Sequence, residues 1–169
     1  MRRLNKPPYR SIYTYIKPGY AMASSSRNPA GCNCLALRQA ARHVTQLYDQ
    51  CLAPSGLRST QYSILARLRR RGPMTINALA AEMVMDRTTL GRNVRPLQRD
   101  GLIAVVAGKA DRRSKELRLT PAGLARAREG RKGWDKAQAL FERTFSGARA
   151  EALREFLHEV ATSALSPAP

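Results

Sequence analysis

The sequence predicts a mainly α-helical protein that carries a small β-hairpin. Apolar residues recur at helical spacing along most of the chain, and breaks containing Pro or Gly divide these stretches from one another. One apolar, partly β-branched stretch is followed instead by a polar turn and an alternating segment, which is the pattern of paired strands. With 169 residues, the chain is long enough for one domain with a buried core and additional tails.

Residues 1–30 differ in composition from the rest of the chain. They contain six basic residues, four prolines and no acidic residue, so we expect a flexible basic arm rather than part of a core. Tyrosines interleaved with these cations suit contact with nucleic acid. Two other interpretations stay open: Met22 is the true start, or the stretch is an organellar transit peptide, although its arginines do not follow one helical face. We assign it no function.

Two helices are expected next. Apolar residues at helical spacing predict the first over 35–52, ended by the Pro54–Ser–Gly56 break. The second covers 60–71, with Tyr62, Leu65 and Leu68 on one face. The arginines at its end complement the negative helix terminus, contact a DNA backbone, or do both.

A helix-turn-helix is expected from the following stretch. A short helix carries Ile76, Leu79, Ala80 and Met83 on one face, and only two residues separate Met83 from Asp86. Asp86 has the chemistry of an N-cap, and Gly101 is suited to end the helix that Asp86 begins. That helix buries one face through three apolar residues at i, i+4 and i+7, namely Leu90, Val94 and Leu97. Two short helices joined by so tight a turn predict a helix-turn-helix.

The opposite face of the second helix is cationic, hydroxylic or small. Its residues are Arg87, Thr88, Gly91, Arg92 and Arg95. Arginine bonds guanine bidentately and the threonine methyl suits thymine, so a DNA duplex is the partner that these residue types favour. Pro96 removes the hydrogen bond to the carbonyl of Arg92, and we expect a kink in the C-terminal half of the helix.

A hairpin and two long helices complete the chain. Strands are predicted at 102–107 and 116–119, joined by a mostly basic connection over 108–115. Pro121 suits the first turn of a helix that runs to about Phe145, with a bend or a join expected at Gly130 and Gly133. A last helix over 148–164 carries an apolar face of Leu153, Phe156, Leu157 and Val160.

The apolar faces of the first and last helices exceed what a small core needs. We expect a second copy of the chain to cover them around a two-fold axis; the alternative is a monomeric helical cap. The expected division is therefore a basic arm over 1–30 and a folded region over 31–165. Within it, the DNA-binding lobe spans about 57–119 and the dimerisation helices about 33–53 and 120–165.

The amino-acid composition limits which classes of function the protein can have. A formal net charge of +18, from 30 basic and 12 acidic residues, favours an anionic partner. No apolar run approaches the ~20 residues of a membrane span. Three cysteines without a CxxC pair indicate a reduced cytosolic setting. With two distant histidines, no Ser-His-acid set and no phosphate-binding glycine loop, we expect no enzyme activity, no cofactor and no metal site.

The ordered set of motifs resembles the MarR family of bacterial transcriptional regulators. It is carried by Leu79-Ala80, by DRTTL at 86–90, by Leu97 with GLI at 101–103, by DRRS at 111–114 and by LTPAG at 119–123. The similarity covers about 34–165. It implies a cytoplasmic, nucleoid-associated homodimer of winged helix-turn-helix lobes. Such a protein usually represses transcription and is released from DNA by a small molecule or an oxidant.

The resemblance assigns roles to individual positions. Thr88, Thr89 and Arg92 would face the major groove, with Arg87 and Arg95 beside them. Arg113 would enter the minor groove from the wing, and Asp111 would hold the wing's shape. Lys109 and Arg112 complete the basic tip. A two-fold dimer would then read a near-palindromic operator whose half-sites lie about 10 bp apart. A winged domain that binds protein is the alternative for these residues.

The cysteine region resembles the organic-hydroperoxide-sensing branch of that family. Cys34 matches the peroxide-reactive cysteine and Tyr48 matches a tyrosine that contacts it, whereas Arg38 and Ser59 stand where the branch has tyrosines. Nearby arginines would favour the thiolate, and Cys32 is a candidate resolving thiol.

Three other interpretations of the sensing region remain, one of them being that the sensor has been lost. Cys34 is a small buried apolar residue, or the signal is a small aromatic or carboxylate-bearing effector bound between the DNA lobe and the dimerising helices. For the whole protein, we expect a sequence-specific dimeric transcriptional regulator. The alternative is a non-specific architectural DNA-binding protein, which would explain the charge but not a recognition face with hydroxyls and a glycine.

Overall fold

The computed structural model describes residues 31–108 and 113–165. The basic arm over 1–30 and the wing-tip residues Lys109, Asp111 and Arg112 lie outside these described residues. The chain divides into two units, Met1–Arg38 and Gln39–Pro169. The described part of the first unit, 31–38, is helical from Asn33 onward, and the second unit contains the core and the sheet.

Six helices and three strands make up the described residues. In chain order they are α1 (Asn33–Leu52), α2 (Ser59–Arg71), β1 (Met74–Thr75), α3 (Ile76–Glu82), α4 (Arg87–Arg99), β2 (Ile103–Ala107), β3 (Lys115–Leu119), α5 (Pro121–Phe145) and α6 (Gly147–Thr162). A short 3₁₀ turn over Ala53–Ser55 follows α1 and ends at Gly56, whose φ is +70°. The expected mainly helical fold with a small hairpin is confirmed.

The core is built around the predicted helix-turn-helix. Its largest fully buried side chains come from the end of α1 and from α2, α3 and α4: Leu52, Ile64, Leu65, Leu79, Leu90, Val94 and Leu97. Each such side chain stabilises the fold by about 1.5–3 kcal/mol on burial. Tyr62 and Leu68 are also buried, as the helical spacing of α2 predicted.

The sheet has three antiparallel strands in the order β1–β3–β2. Leu117 of β3 pairs with Val105 on one side and with Met74 on the other. The hairpin agrees with the sequence prediction, whereas β1 was missed. With only two residues, β1 is too short to show an alternation of apolar and polar side chains in the sequence. It is a strand only because it pairs with β3.

Helix α5 corrects one expectation, because it runs unbroken past Gly130 and Gly133. A Cβ on Gly130 would lie 2.8 Å from Cδ2 of Tyr62, and one on Gly133 would overlap the backbone carbonyl of Cys51. These glycines therefore allow neighbouring elements to pack closely against the helix. They do not break it, because burial against α2 and the end of α1 outweighs the weak helix propensity of glycine.

Helices α1 and α6 leave apolar side chains exposed. In α1 these are Leu35 and Leu37, and in α6 they are Leu153, Phe156 and Leu157; Phe156 is 59% exposed. Among the described residues, the expected apolar side chains of these two helices are therefore exposed. Among the residues that the structure describes, no helix combines the length and hydropathy needed to cross a membrane.

Candidate nucleic-acid interface

Asp86 holds the start of α4 in place. Its carboxylate accepts a hydrogen bond of 2.8 Å from the backbone N–H of Thr89, so the predicted N-cap is confirmed. Hydrogen bonds from Thr89 and the helix backbone favour the charged carboxylate and lower the pKa of Asp86. The helix ends at Arg99, two residues before Gly101, whose φ is +69°.

The two faces of α4 separate as the sequence predicted. Leu90, Val94 and Leu97 are buried and attach the helix to the core. The side chains of Arg87, Thr88, Thr89, Arg92 and Arg95 are exposed, as is that of Arg99 in the last turn. Gly91 is only half-exposed, because it lies toward Ile76 of α3. The helix contains Pro96 and continues through it to Arg99. The candidate interface is therefore a row of three guanidinium groups and two hydroxyls on one exposed helix face.

The turn before α4 contains an unusual backbone. Val84 has a φ of +51°, and its side chain is 72% exposed. A β-branched residue in the left-handed region is strained, yet Val84 N and Met85 N still donate to Ala81 O and Ala80 O at 3.1 and 2.9 Å. The turn is thus held by backbone hydrogen bonds that α3 provides, and these set where α4 begins.

A cluster of charges joins α2 to α3. Glu82, the last residue of α3, places Oε1 2.7 Å from Arg67 Nη1, 3.3 Å from Arg71 Nε and 3.5 Å from Arg70 Nη2. The hydrogen bond from Arg67 is the main cause of a lowered pKa for Glu82. Sequence reasoning missed this residue. The one hint in the sequence is that Glu82 is an isolated acidic residue in a basic stretch. Only the fold brings Glu82 into contact with the arginines of α2.

A backbone hydrogen bond joins the two sides of the hairpin at the base of the wing. Gly108 N donates to Ser114 O at 2.9 Å, and Arg113, just before β3, is exposed. Arg113 therefore lies exposed in the connection between β2 and β3. The remaining predicted wing residues belong to the segment outside the described part of the chain.

The structure describes the contacts of each candidate sensor residue individually. Cys32 and Cys34 are both exposed, and the Cys32 sulfur accepts a hydrogen bond from Leu35 N at 3.4 Å. Burial of Cys34 as a core residue is therefore not what the described chain shows. The Tyr48 hydroxyl donates to Gln138 Oε1 at 2.7 Å, and burial raises the pKa of Tyr48.

The helix-turn-helix, the paired strands that form a wing and the exposed cationic face of α4 define a winged-helix DNA-binding domain. The MarR family model matches residues 57–115, which run from Leu57, just before α2, to the first residue of β3. The transcriptional regulator MosR of M. tuberculosis, solved in complex with DNA, is 38% identical. The similarity covers 77% of this chain and 93% of MosR, with a TM-score of 0.69. The chain belongs to the MarR family.

Two further relatives are described as transcriptional regulators. A structure described as a probable transcriptional regulator from Pseudomonas aeruginosa is 29% identical, with a TM-score of 0.70; 79% of this chain and 99% of that chain are covered. YwoH of Bacillus subtilis, described as an uncharacterized HTH-type transcriptional regulator, is 32% identical over 84 residues. That match covers 50% of this chain and spans only 61% of the length of YwoH.

Proposed function

We propose that this protein is a sequence-specific, dimeric transcriptional repressor that reads a near-palindromic operator. The observation that carries the proposal is the exposed face of α4, which presents Arg87, Arg92 and Arg95 with the hydroxyls of Thr88 and Thr89. Arginine and threonine on one helix face match the donor and methyl pattern of a major groove. The relative MosR, which shares 38% of its residues, was solved with DNA bound.

The dimer is supported by apolar side chains that are exposed among the residues the structure describes. Leu153, Phe156 and Leu157 lie on α6, and all three are exposed. In α1, Leu35 and Leu37 are exposed as well. A second copy that covers such faces would place two recognition helices on one duplex, with half-sites about 10 bp apart. The dimerisation helices of this proposal are those expected from the sequence, about 33–53 and 120–165.

The wing is proposed as the second DNA contact. In this proposal Arg113 enters the minor groove. Lys109 and Arg112 add positive charge at the tip of the wing, and Asp111 holds the shape of the wing. The narrow minor groove of A·T-rich DNA attracts arginine through its negative potential. Other lysines and arginines neutralise phosphates, which adds affinity and salt dependence without sequence information.

Release from the operator is proposed to follow binding of a small aromatic or carboxylate-bearing effector. The alternative signal is oxidation of Cys34, as in the organic-hydroperoxide-sensing branch, with Cys32 as the resolving thiol and Tyr48 as a neighbouring tyrosine. The exposure of Cys34 favours this alternative, because an oxidant must reach the thiolate. The place of action in either case is the bacterial cytoplasm, at the nucleoid.

The test is a binding titration over a salt series. Fluorescence anisotropy compares labelled DNA from the region flanking the protein's own gene with a random duplex of equal length. A specific regulator should prefer the operator by more than about 10³-fold, whereas a preference below about tenfold favours the architectural alternative. Sedimentation of the free protein measures the dimer, and a monomer at micromolar concentration would contradict that part of the proposal.

A further inference from the structure

The turn between α3 and α4 carries a valine in a strained conformation. Val84 has a φ of +51°, in the left-handed region, where the Cβ of an L-residue crowds the backbone. Its nitrogen donates to Ala81 O at 3.1 Å, and Met85 N donates to Ala80 O at 2.9 Å. Both hydrogen bonds are made by the backbone and would form with any side chain at position 84. The strain is therefore the cost of having valine there.

Other positive-φ residues of the described chain avoid this cost or use their side chain within the fold. Ser146 has a φ of +67°, and its hydroxyl accepts a hydrogen bond from Arg149 N at 3.4 Å, which caps α6. Apart from Val84 and Ser146, the described residues with a positive φ are glycines, which adopt it without strain: Gly56, Gly72 and Gly101. The hydrocarbon side chain of Val84 can make no such cap.

The side chain of Val84 does not belong to the core either. Its neighbours Met83 and Met85 pack against the core, whereas Val84 is 72% exposed. Among the large apolar side chains of the described residues, only that of Leu165, at the end of the described chain, is more exposed. A single exposed apolar residue is ordinary on a protein surface. Strain at such a residue, with no benefit inside the chain, points to a contact outside the chain.

The position of Val84 favours DNA as the partner in this contact. Only Met85 lies between Val84 and Asp86, the residue that caps α4. The exposed Arg87 and Thr88 follow in the first turn of α4, so Val84 borders the face that is proposed to enter the major groove. The apolar group that base pairs present in the major groove is the C5 methyl of thymine. An apolar side chain beside arginines and hydroxyls therefore suits a thymine at the edge of the contacted site.

We propose that Val84 is a specificity-determining residue whose isopropyl group contacts the C5 methyl of one thymine in each half-site. The inference rests on the proposed function, and it assigns recognition of one base pair to a residue outside α4. The strained turn lowers the stability of the free protein. The contact adds affinity only on a duplex that has thymine at this position. Val84 then contributes discrimination, whereas lysines and arginines contribute general affinity through phosphates.

Deoxyuridine tests this contact directly, because it differs from thymidine only by the absence of the C5 methyl. Each thymine of the flanking duplex from the salt titration is replaced in turn, and binding of the full-length protein is followed by fluorescence anisotropy. At one position in each half-site, the replacement should weaken binding of the parent about three- to fivefold, the effect of burying one methyl group. In Val84→Gly, the same replacement should have no measurable effect.

Two substitutions at position 84 separate the methyl contact from backbone flexibility. Val84→Gly should bind the thymine duplex about three- to tenfold more weakly than the parent and bind the random duplex equally well. Val84→Ala removes both methyl groups but retains the Cβ that restricts the backbone, and it should show the same insensitivity to deoxyuridine. Val105→Ala is the matched control at another exposed valine, in β2, and should retain the full sensitivity of the parent. Circular dichroism verifies the fold of all three.

A more flexible turn and a lost methyl contact give different results. If glycine only made the start of α4 flexible, thymine and deoxyuridine duplexes would differ in affinity for Val84→Gly by the same factor as for the parent. That result at every thymine position, or a parent insensitive to every replacement, would overturn the role of Val84.

Failure of this inference is distinguishable from failure of the proposed function. A parent that prefers the flanking duplex over random DNA, without any thymine position that depends on Val84, removes the contact and leaves the regulator. Equal affinity of the parent for the flanking and random duplexes refutes the proposed function itself.

Discussion

Gly123 lies directly against the backbone carbonyl of Leu102, and a Cβ at this position would overlap that oxygen. The contact places the first turn of α5 on the segment that joins α4 to β2. Thr120 secures the same junction, because its hydroxyl donates to Gly101 O at 2.7 Å and accepts from Gly123 N at 3.0 Å. The root of the wing and the start of the long C-terminal helix are thereby fixed to each other.

Gly123→Ala should therefore destabilise the protein. The added methyl forces the backbone of α5 away from Leu102, which is an overpacking cost of about 1–3 kcal/mol or more. Urea unfolding followed by circular dichroism measures the effect. Gly147→Ala is the matched control, because nothing lies within 4 Å of a Cβ placed on Gly147. Equal losses in the two variants would show that the close approach at Leu102 does not matter.

Val84→Gly should have the opposite effect. At a φ of +51° a β-branched residue is strained, and glycine relieves a cost of about 1–2 kcal/mol, less the extra flexibility of the unfolded chain. A rise of a few degrees in Tm is expected by calorimetry. Val105→Gly, at another exposed valine but in β2, should lower Tm, because glycine weakens a strand. A lower Tm for Val84→Gly would contradict the strain.

Asp86→Ala should lower Tm, because the first turn of α4 loses its capping carboxylate. Asp86→Asn retains an acceptor for Thr89 N and is the control, with a smaller loss expected. The pKa of Asp86 is lower in the folded state than in the unfolded chain. Its stabilisation is therefore complete above the unfolded pKa of about 3.9 and lost as pH falls through the folded pKa.

Urea midpoints of the parent and of Asp86→Ala should accordingly converge between about pH 5 and pH 3. Glu82 carries a lowered pKa for a different reason, its pairing with Arg67, and it contributes in the same direction over the same range. A gap between parent and Asp86→Ala that stays constant on acidification would contradict a charge-dependent cap.

Arg92→Ala and Arg113→Ala should weaken operator binding in different ways. Loss of Arg92 should reduce discrimination at one base pair by about 1–3 kcal/mol, whereas loss of Arg113 should weaken binding mainly at A·T-rich wing sites. Anisotropy with operator variants measures both, and circular dichroism verifies the fold. Arg128→Ala, on α5, controls for net charge. Unaltered affinity in Arg113→Ala would argue against insertion of the wing.

Cys34→Ser distinguishes the two proposed signals. If Cys34 is the switch, an organic hydroperoxide should release the parent from its operator and leave the Cys34→Ser protein bound, because serine forms no sulfenic acid. Cys51→Ser is the control, since Cys51 is the remaining, half-buried cysteine. Release of the Cys34→Ser protein at the same oxidant concentration as the parent would exclude Cys34 from the mechanism.

Local sequence patterns were sufficient to predict the recognition helix α4. The i, i+4, i+7 spacing of Leu90, Val94 and Leu97 and the N-cap chemistry of Asp86 predicted which face of α4 is buried and where the helix begins. The same holds for the hairpin, whose alternation is visible within five residues. These features depend on neighbours in the chain, so the sequence alone contains the information that decides them.

Contacts between residues distant in the chain decided the features that the sequence did not predict. A bend or a join was expected at Gly130 and Gly133, yet one continuous helix passes through them, with Tyr62 and the end of α1 packed closely against them. The strand at Met74 exists because β3 lies beside it, and Glu82 gains its role only from arginines 11 to 15 residues away. Such contacts join residues distant in the chain, and no local periodicity records them. The sequence by itself determined the helices, the hairpin and the chemistry of the exposed recognition face, but not β1. Only the tertiary structure decided which charges and glycines hold that face in position.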